Sequence, residues 1–367
     1  MVTTRGLVGL RPEPSHAARV TCPPYDVIKP GSALEQGLQA EPASLYHVIL
    51  GQSPASALRE LQAQGFLVRD DEPSYYVYEQ RWGDKSRTGV FFAGEVTPYE
   101  QGQIIRHEKT FDEKVKGRIA LREATGHTFG PVFLLTRHRG KLSPILERAK
   151  DEAPLYSFTS DFGGASELHG IENRVWRVPQ TSADGEALMA MLAPEPLYIA
   201  DGHHRYHAAL KSGQGFFLGY VTEDAEIEAY NRVIRGTRPF EEAKAELPLT
   251  PVTEFQTPEK HRFRIHTRDG DYELAAQEVP DDVVGRLDCA ILERELYPKL
   301  GLSHDLIKDP RYFDYYPESA LDQMKVVVDR GDYDLAVALH PVSREELIAV
   351  ADAGLEDSSI VMPEKST

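Results

Sequence analysis

The residues best suited to chemistry stand together at Asp201-Gly202-His203-His204-Arg205-Tyr206. The preceding run Pro196-Leu197-Tyr198-Ile199-Ala200 reads as a short buried strand, and Tyr206 to Lys211 continues as a helix that ends before Gly213. Gly202 permits a tight turn and close backbone approach. The N–H groups and positive dipole end of the helix that follows attract an anion. His203, His204 and Arg205 add donors and positive charge at the same place. Asp201, at the strand end, suits a magnesium ion or the proton of a substrate hydroxyl. The set reads as a phosphate-handling turn, the plainer alternative being a structural turn with solvated histidines. His203 and His207 are also spaced to share a helix face, as zinc-binding histidines do. The usual glutamate between such a pair is missing and Arg205 would repel a cation, so zinc ranks below phosphate.

A second group follows an apolar edge at Ile104-Ile105-Arg106-His107-Glu108-Lys109-Thr110. Glu108 is a reasonable metal ligand or general base, and His107 a proton donor or phosphate contact, with Lys109 and Thr110 beside them. Lys114, Lys116, Arg118 and Arg122 come next. Cations near a polyphosphate neutralise charge as it moves to the leaving group. Asp112, Glu113 and Glu123 balance them, so a solvated charged helix is the bland alternative. Asp26 is a third carboxylate of interest, directly after Pro23-Pro24-Tyr25. Capping of the next segment and catalysis both fit it. Arg232, in Asn231-Arg232-Val233, is a candidate substrate contact or a surface turn.

These motifs resemble known families. Asp-Gly-His-His-Arg between a strand and a helix carrying Ala208 and Ala209 is similar to the nucleotide-phosphate motif of the ParB/sulfiredoxin-like superfamily, whose free L-serine kinases carry the same five residues. More broadly, the chain resembles a widespread bacterial and archaeal family of long-unknown function. That likeness runs in order through Pro23-Pro24-Tyr25-Asp26-Val27-Ile28, His107-Glu108-Lys109-Thr110, the Asp201 turn and Met362-Pro363-Glu364-Lys365-Ser366-Thr367. In that family the last motif is usually followed by more residues, so the chain looks shortened.

The resemblance implies a small-molecule kinase moving phosphate from ATP or ADP to free L-serine. Gly202 to Arg205, His107, Lys109 and Thr110 would hold the nucleotide. Asp26, Glu108 and Asp201 would be the catalytic carboxylates, with Mg2+ on Asp201 and Glu108, and Arg118 or Arg232 on the substrate carboxylate. In the resembling kinases an early acidic residue activates the serine hydroxyl, and Asp26 occupies a similar place. A non-enzymatic nucleotide-binding module and a metal-dependent phosphohydrolase are the alternatives.

The elements that must position these groups read as mixed α and β. Ala55 to Gln64 carries an amphipathic pattern, with Leu58 and Leu61 on one side. Residues 74–80 and 88–94 are β-branched and aromatic, joined by the polar link 83–86, and predict a hairpin. Strands are expected at 131–136, 172–178, 215–221 and 333–339, and helices at 142–149, 283–299 and 317–330. The fold expected is α/β (α+β), with a mixed sheet of ParB/sulfiredoxin-like type, a large N-terminal elaboration and a helical C-terminal portion. Residues 1–195, 196–240 and 241–367 are the expected divisions.

Of the 367 residues, 41% are hydrophobic, enough for a packed core, and no run of about 18 uncharged apolar residues exists to span a membrane. Met1-Val2-Thr3-Thr4-Arg5-Gly6 has no secretory pattern, and two distant cysteines, Cys22 and Cys289, suit a reducing cytoplasm. The formal charge of −17, with no dense Lys/Arg run, argues against a nucleic-acid partner.

Overall fold

Tyr75, Val77, Val90 and Phe92 alternate along two neighbouring strands and bury one face of a sheet, because side chains at period two point the same way. The computed structural model describes residues 3–354 apart from 26, 29, 109, 111, 163–169, 224–226 and 308. Asp26, Lys109 and the Met362–Thr367 motif therefore lie outside the described residues. The chain forms two units, Met1–Ala225 and Glu226–Thr367.

The first unit is built on a nine-stranded sheet. Its strands are β1 (Thr4–Arg5), β2 (Ser74–Trp82), β3 (Lys85–Glu95), β4 (Ile104–Ile105), β5 (Val132–Thr136), β6 (Tyr156–Thr159), β7 (Glu172–Pro179), β8 (Leu197–Asp201) and β9 (Phe216–Thr222). The order is β4-β8-β5-β9-β3-β2-β7-β6, with β1 on β3. Strands β4/β8 and β5/β9 pair parallel; the remaining pairs are antiparallel. The β2–β3 hairpin is tighter than its polar link suggests: Ser86 already pairs with Arg81, and Lys85 with Trp82. Helices α1 (Pro54–Ala63), α2 (Asp112–Thr125), α3 (Ser143–Ala149), α4 (Ala183–Leu192) and α5 (His203–Lys211) accompany the sheet. Leu58 and Leu61 of α1 are buried as its periodicity requires. Tyr206 ties α5 into the core: its hydroxyl accepts from the Thr97 N–H at 3.0 Å and donates to the Thr97 carbonyl at 2.7 Å.

The second unit corrects the helical C-terminal portion expected from the sequence, since it carries a six-stranded antiparallel sheet. Strands β10 (Asn231–Ile234), β11 (Leu249–Val252), β12 (Arg262–Thr267), β13 (Gly270–Ala275), β14 (Phe313–Tyr316) and β15 (Leu335–Ala338) lie in the order β11-β13-β12-β15-β10-β14. The charged half of Arg262-Phe263-Arg264-Ile265 hides a strand whose Phe263 and Ile265 are fully buried. Helices α6 (Asp288–Glu295) and α7 (Leu321–Asp329) pack on it, and α8 (Arg344–Asp352) follows its last strand. The expected helix over 283–299 is cut to α6, and Pro298 lies in a separate 3-10 turn, Tyr297–Leu300, since proline lacks the donor a helix interior needs. Residues 196–240 are shared between the units: β8, α5 and β9 belong to the first, β10 to the second. The architecture is mixed α/β.

Candidate phosphate turn and histidine cluster

Strands β4 and β8 run parallel, with Leu197 opposite Ile104 and Tyr198 opposite Ile105. Their carboxyl ends point the same way, to the side where parallel strands commonly leave a ligand crevice. His107 lies two residues beyond β4, and His203 two residues beyond β8. A register shift against β5 between Ile199 and Asp201 marks a bulge, the kind of irregularity that re-aims a strand-end side chain.

Gly202 has φ 90° and ψ 25°, a left-handed conformation that side chains resist. A Cβ there would lie 2.9 Å from Arg205 Nε and 3.2 Å from Val132 Cα. Gly130, also at positive φ, approaches the other side of the same guanidinium, 2.9 Å from Nη1 by the same measure. Arg205 therefore folds back over the turn and pairs with Asp201. The N-cap of α5 is Gly202, which has no side chain to offer the first-turn amides, and this helix start is where an anion is favoured.

The histidines of the turn differ from one another. His203 is 3% exposed and His107 2%. Their rings meet edge to face, centroids 4.6 Å apart, and His203 Nδ1 lies 3.5 Å from Glu108 Oε2. Burial, aided by Lys114 and Arg205, pushes the His204 imidazole down to about 4. His204 is thus neutral near pH 7, so it brings a donor to the turn but no charge. His207 stacks on Tyr99 with centroids 6.2 Å apart, and burial with Lys211 and Arg106 lowers its pKa as well. Among the described residues the cluster with metal-ligating donors close together is His107, Glu108 and His203, within 4.8 Å of one another. The expected cation pair of Asp201 and Glu108 is not what clusters here, since Asp201 is engaged by Arg205.

Beside the turn is a small cleft of ≈ 30 Å³ lined by Arg118, Arg122, His127 and Arg205 together with Leu121, Phe129, Gln214 and Phe217. Three arginines and no carboxylate line it, so its field favours an anion. Helices α2 and α5 pack together, and Lys211 pairs with Asp112 across them at 2.9 Å. Arg118 lies over the Tyr25 ring at 3.9 Å, which brings the Pro23-Pro24-Tyr25 signature to the cleft. Arg122 donates to Thr128 Oγ1 at 2.7 Å.

Arg118 was expected at a site, but His127, Phe129, Gln214 and Phe217 were not. The spacing of Arg118, Leu121 and Arg122 at i, i+3 and i+4 was the available signal for a shared helix face. Thr110 is half-buried just before α2, and Lys114 and Lys116 are exposed on it. Arg232 lies in the second unit, 4% exposed, donating to Tyr297 Oη at 2.8 Å and the Tyr230 carbonyl at 3.0 Å. No helix among the described residues is long and apolar enough to cross a membrane.

Several solved structures are similar to this chain. SbnI with C-terminal truncation from Staphylococcus aureus has a TM-score of 0.37 at 13% identity, over 72% of this chain and 78% of that one. A free serine kinase in complex with AMP has a TM-score of 0.36 at 12% identity, over 76% of this chain and 85% of that one. A conserved hypothetical protein from Pyrococcus furiosus has a TM-score of 0.33 at 13% identity, over 76% and 88%. No curated protein matches. The sequence pattern of the family described as "Protein of unknown function (DUF1015)" matches residues 5–290, and the chain belongs to that family.

Proposed function

We propose that this protein is a small-molecule kinase that transfers a phosphoryl group from ATP or ADP to free L-serine, giving O-phospho-L-serine. The observation that carries the reading is the arginine-lined cleft that Arg205 shares with the Gly202 turn at the start of α5. The donor's phosphates sit at Gly202, His203, His204 and Arg205, with His107 beside them, and Lys109 and Thr110 join on the sequence resemblance. Arg118 takes the serine carboxylate by a two-pronged contact, since Arg232 is buried in the second unit against Tyr297. The serine hydroxyl oxygen attacks the terminal phosphorus, the bond to the leaving nucleotide oxygen breaks, and the hydroxyl proton passes to a carboxylate. Asp26, Glu108 and Asp201 are the candidates for that carboxylate. Such transfer needs chiefly positioning and charge neutralisation, and the resemblance of the Asp-Gly-His-His-Arg turn to ParB/sulfiredoxin-like serine kinases supports serine as acceptor.

Magnesium delivered with the nucleotide would take oxygen donors from Asp201 and Glu108 and offset phosphate charge. Carboxylate oxygens suit it as the neighbouring imidazoles do not, and because Arg205 engages Asp201 the arriving phosphates would first draw that guanidinium away. We place the protein in the cytoplasm with small molecules as its partners. Burial holds the Cys22 thiol at about 12 and the Cys289 thiol at about 11, so neither is poised for oxidation.

The test is incubation of the pure chain with Mg2+, ATP or ADP, and L-serine, followed by phosphorus NMR. Serine-dependent O-phosphoserine supports the reading. Phosphate release without serine points to a phosphohydrolase, and tight nucleotide binding without turnover to a binding module.

A further inference from the structure

We propose that His107, Glu108 and His203 form a binding site for a borderline divalent transition metal of the zinc class. The proposal needs no nucleotide, because it rests on donors the chain itself assembles, and an ion held there claims the Glu108 carboxylate and leaves Asp201 to magnesium.

Topology creates the cluster. Two parallel strands point their carboxyl ends the same way, and each places a histidine two residues beyond its end, with Glu108 following His107 directly. The donor atoms of the three lie within 4.8 Å of one another. In a tetrahedral zinc site with bonds of about 2.0–2.2 Å, neighbouring ligand atoms stand about 3.4 Å apart. His203 Nδ1 and Glu108 Oε2 are 3.5 Å apart, close to that spacing and longer than a good hydrogen bond. The edge-to-face rings, at 4.6 Å, let two imidazoles approach one centre without stacking.

The donor set selects the ion. Two imidazoles and one carboxylate suit zinc, iron or manganese, whereas magnesium prefers oxygen throughout. The histidines are buried, at 2% and 3% exposure, while the Glu108 side chain is 42% exposed. The site is therefore fixed on its inner side and open on its outer side. Three protein ligands with an open position are the pattern of sites that also bind water or a substrate oxygen. Arg205, whose charge argued against a metal at this helix, turns instead to Asp201 between Gly130 and Gly202. His207, the other helical candidate, is stacked on Tyr99 and lies outside the cluster.

The experiment strips the full chain with chelator and titrates Zn2+, without nucleotide, against a competing chromophoric chelator, with Co2+ as an optical probe. A single Zn2+ per chain is expected, with visible Co2+ bands. His107→Ala, His203→Ala and Glu108→Gln should each weaken Zn2+ by at least the roughly 10- to 100-fold typical of losing a group that only supports a ligand. His207→Ala should bind as wild type does. Circular dichroism and a melt of the apo variants separate lost ligation from lost folding, and exposed Glu108 gives the variant least prone to misfold. Weak, non-stoichiometric Zn2+ binding by wild type, full affinity in folded Glu108→Gln, or loss confined to His207→Ala overturns the site. Because nucleotide is absent throughout, a failed kinase assay leaves this result intact, and the converse also holds.

Discussion

Asp201 and Arg205, one helical turn apart, close an ion pair across Gly202, so the carboxylate at the strand end is oriented by the helix it precedes. If this carboxylate handles the acceptor proton, Asp201→Asn keeps the shape and removes the base. We expect a roughly 10²- to 10⁴-fold loss of serine-dependent turnover with little change in stability. A variant that retains full turnover in the phosphorus NMR assay would remove Asp201 from the chemistry and leave Glu108 and Asp26.

Gly202→Ala tests the turn itself. The new Cβ meets both a left-handed φ and close contacts with Arg205 and Val132. Gly213, at φ 64°, has nothing within 4 Å of its Cβ direction, so Gly213→Ala isolates the backbone cost, about 1–2 kcal/mol. Urea unfolding should show Gly202→Ala to be the more destabilised of the two, by about 1 kcal/mol or more. Equal losses would mean that the turn relaxes around the added methyl.

His204 predicts a pH dependence of stability. Its folded value of about 4 lies below its ordinary 6.5, with burial as the chief cause. Unfolding lets it take a proton, so its contribution is fully present above about 6.5 and is lost progressively as pH falls toward 4. Unfolding at a series of pH values should show this slope reduced in His204→Asn. An NMR titration placing the His204 midpoint near 6.5 would count against the neutral assignment.

Much of this was legible in the chain, and the exceptions share physical causes. The strand–turn–helix at 197–211 follows from an apolar run, one glycine and a following helical pattern, all local signals. The hairpin of β2 and β3 follows from period-two aromatics. The strands of the second unit were missed where alternate residues are charged, as at Arg262 and Arg264. The meeting of His107 with His203 depends on the pairing of β4 with β8, in which Leu197 stands opposite Ile104, 93 positions away in sequence, which no local pattern encodes. The cleft mixes α2, the 127–132 segment and α5, and it emerges only when the helices pack.

Glu223 shows how a buried carboxylate organises the first unit away from the turn. It is 2% exposed and accepts from the N–H groups of Gly140, Lys141, Leu142 and Ser143 at 2.6–3.1 Å, at the entry to α3. Burial works to raise its pKa, but the bonds from Leu142 and Ser143 prevail and lower it. Its stabilisation is therefore present above the ordinary carboxylate value, about 4.3, and is lost as pH falls through the lower folded value. Glu223→Gln should cost about 1.5–3 kcal/mol at pH 7, measured by urea unfolding, with the difference from wild type shrinking in acid.

Arg118 and Arg232 compete for one role, and kinetics can separate them. Arg118 lines the anionic-ligand cleft beside Arg205, whereas Arg232 is buried in the second unit against Tyr297 and the Tyr230 carbonyl. A residue that holds the serine carboxylate equally in ground and transition states changes KM and leaves kcat. Loss of a charged hydrogen-bonding partner is worth about 1.5–3 kcal/mol, so Arg118→Ala should raise the serine KM roughly 10- to 100-fold with the nucleotide KM nearly unchanged. Arg232→Ala leaves Tyr297 without its buried donor and should lower the melting temperature instead. If the serine KM is unmoved by Arg118→Ala, Arg118 does not hold the carboxylate and serves the nucleotide or its own contact with Tyr25.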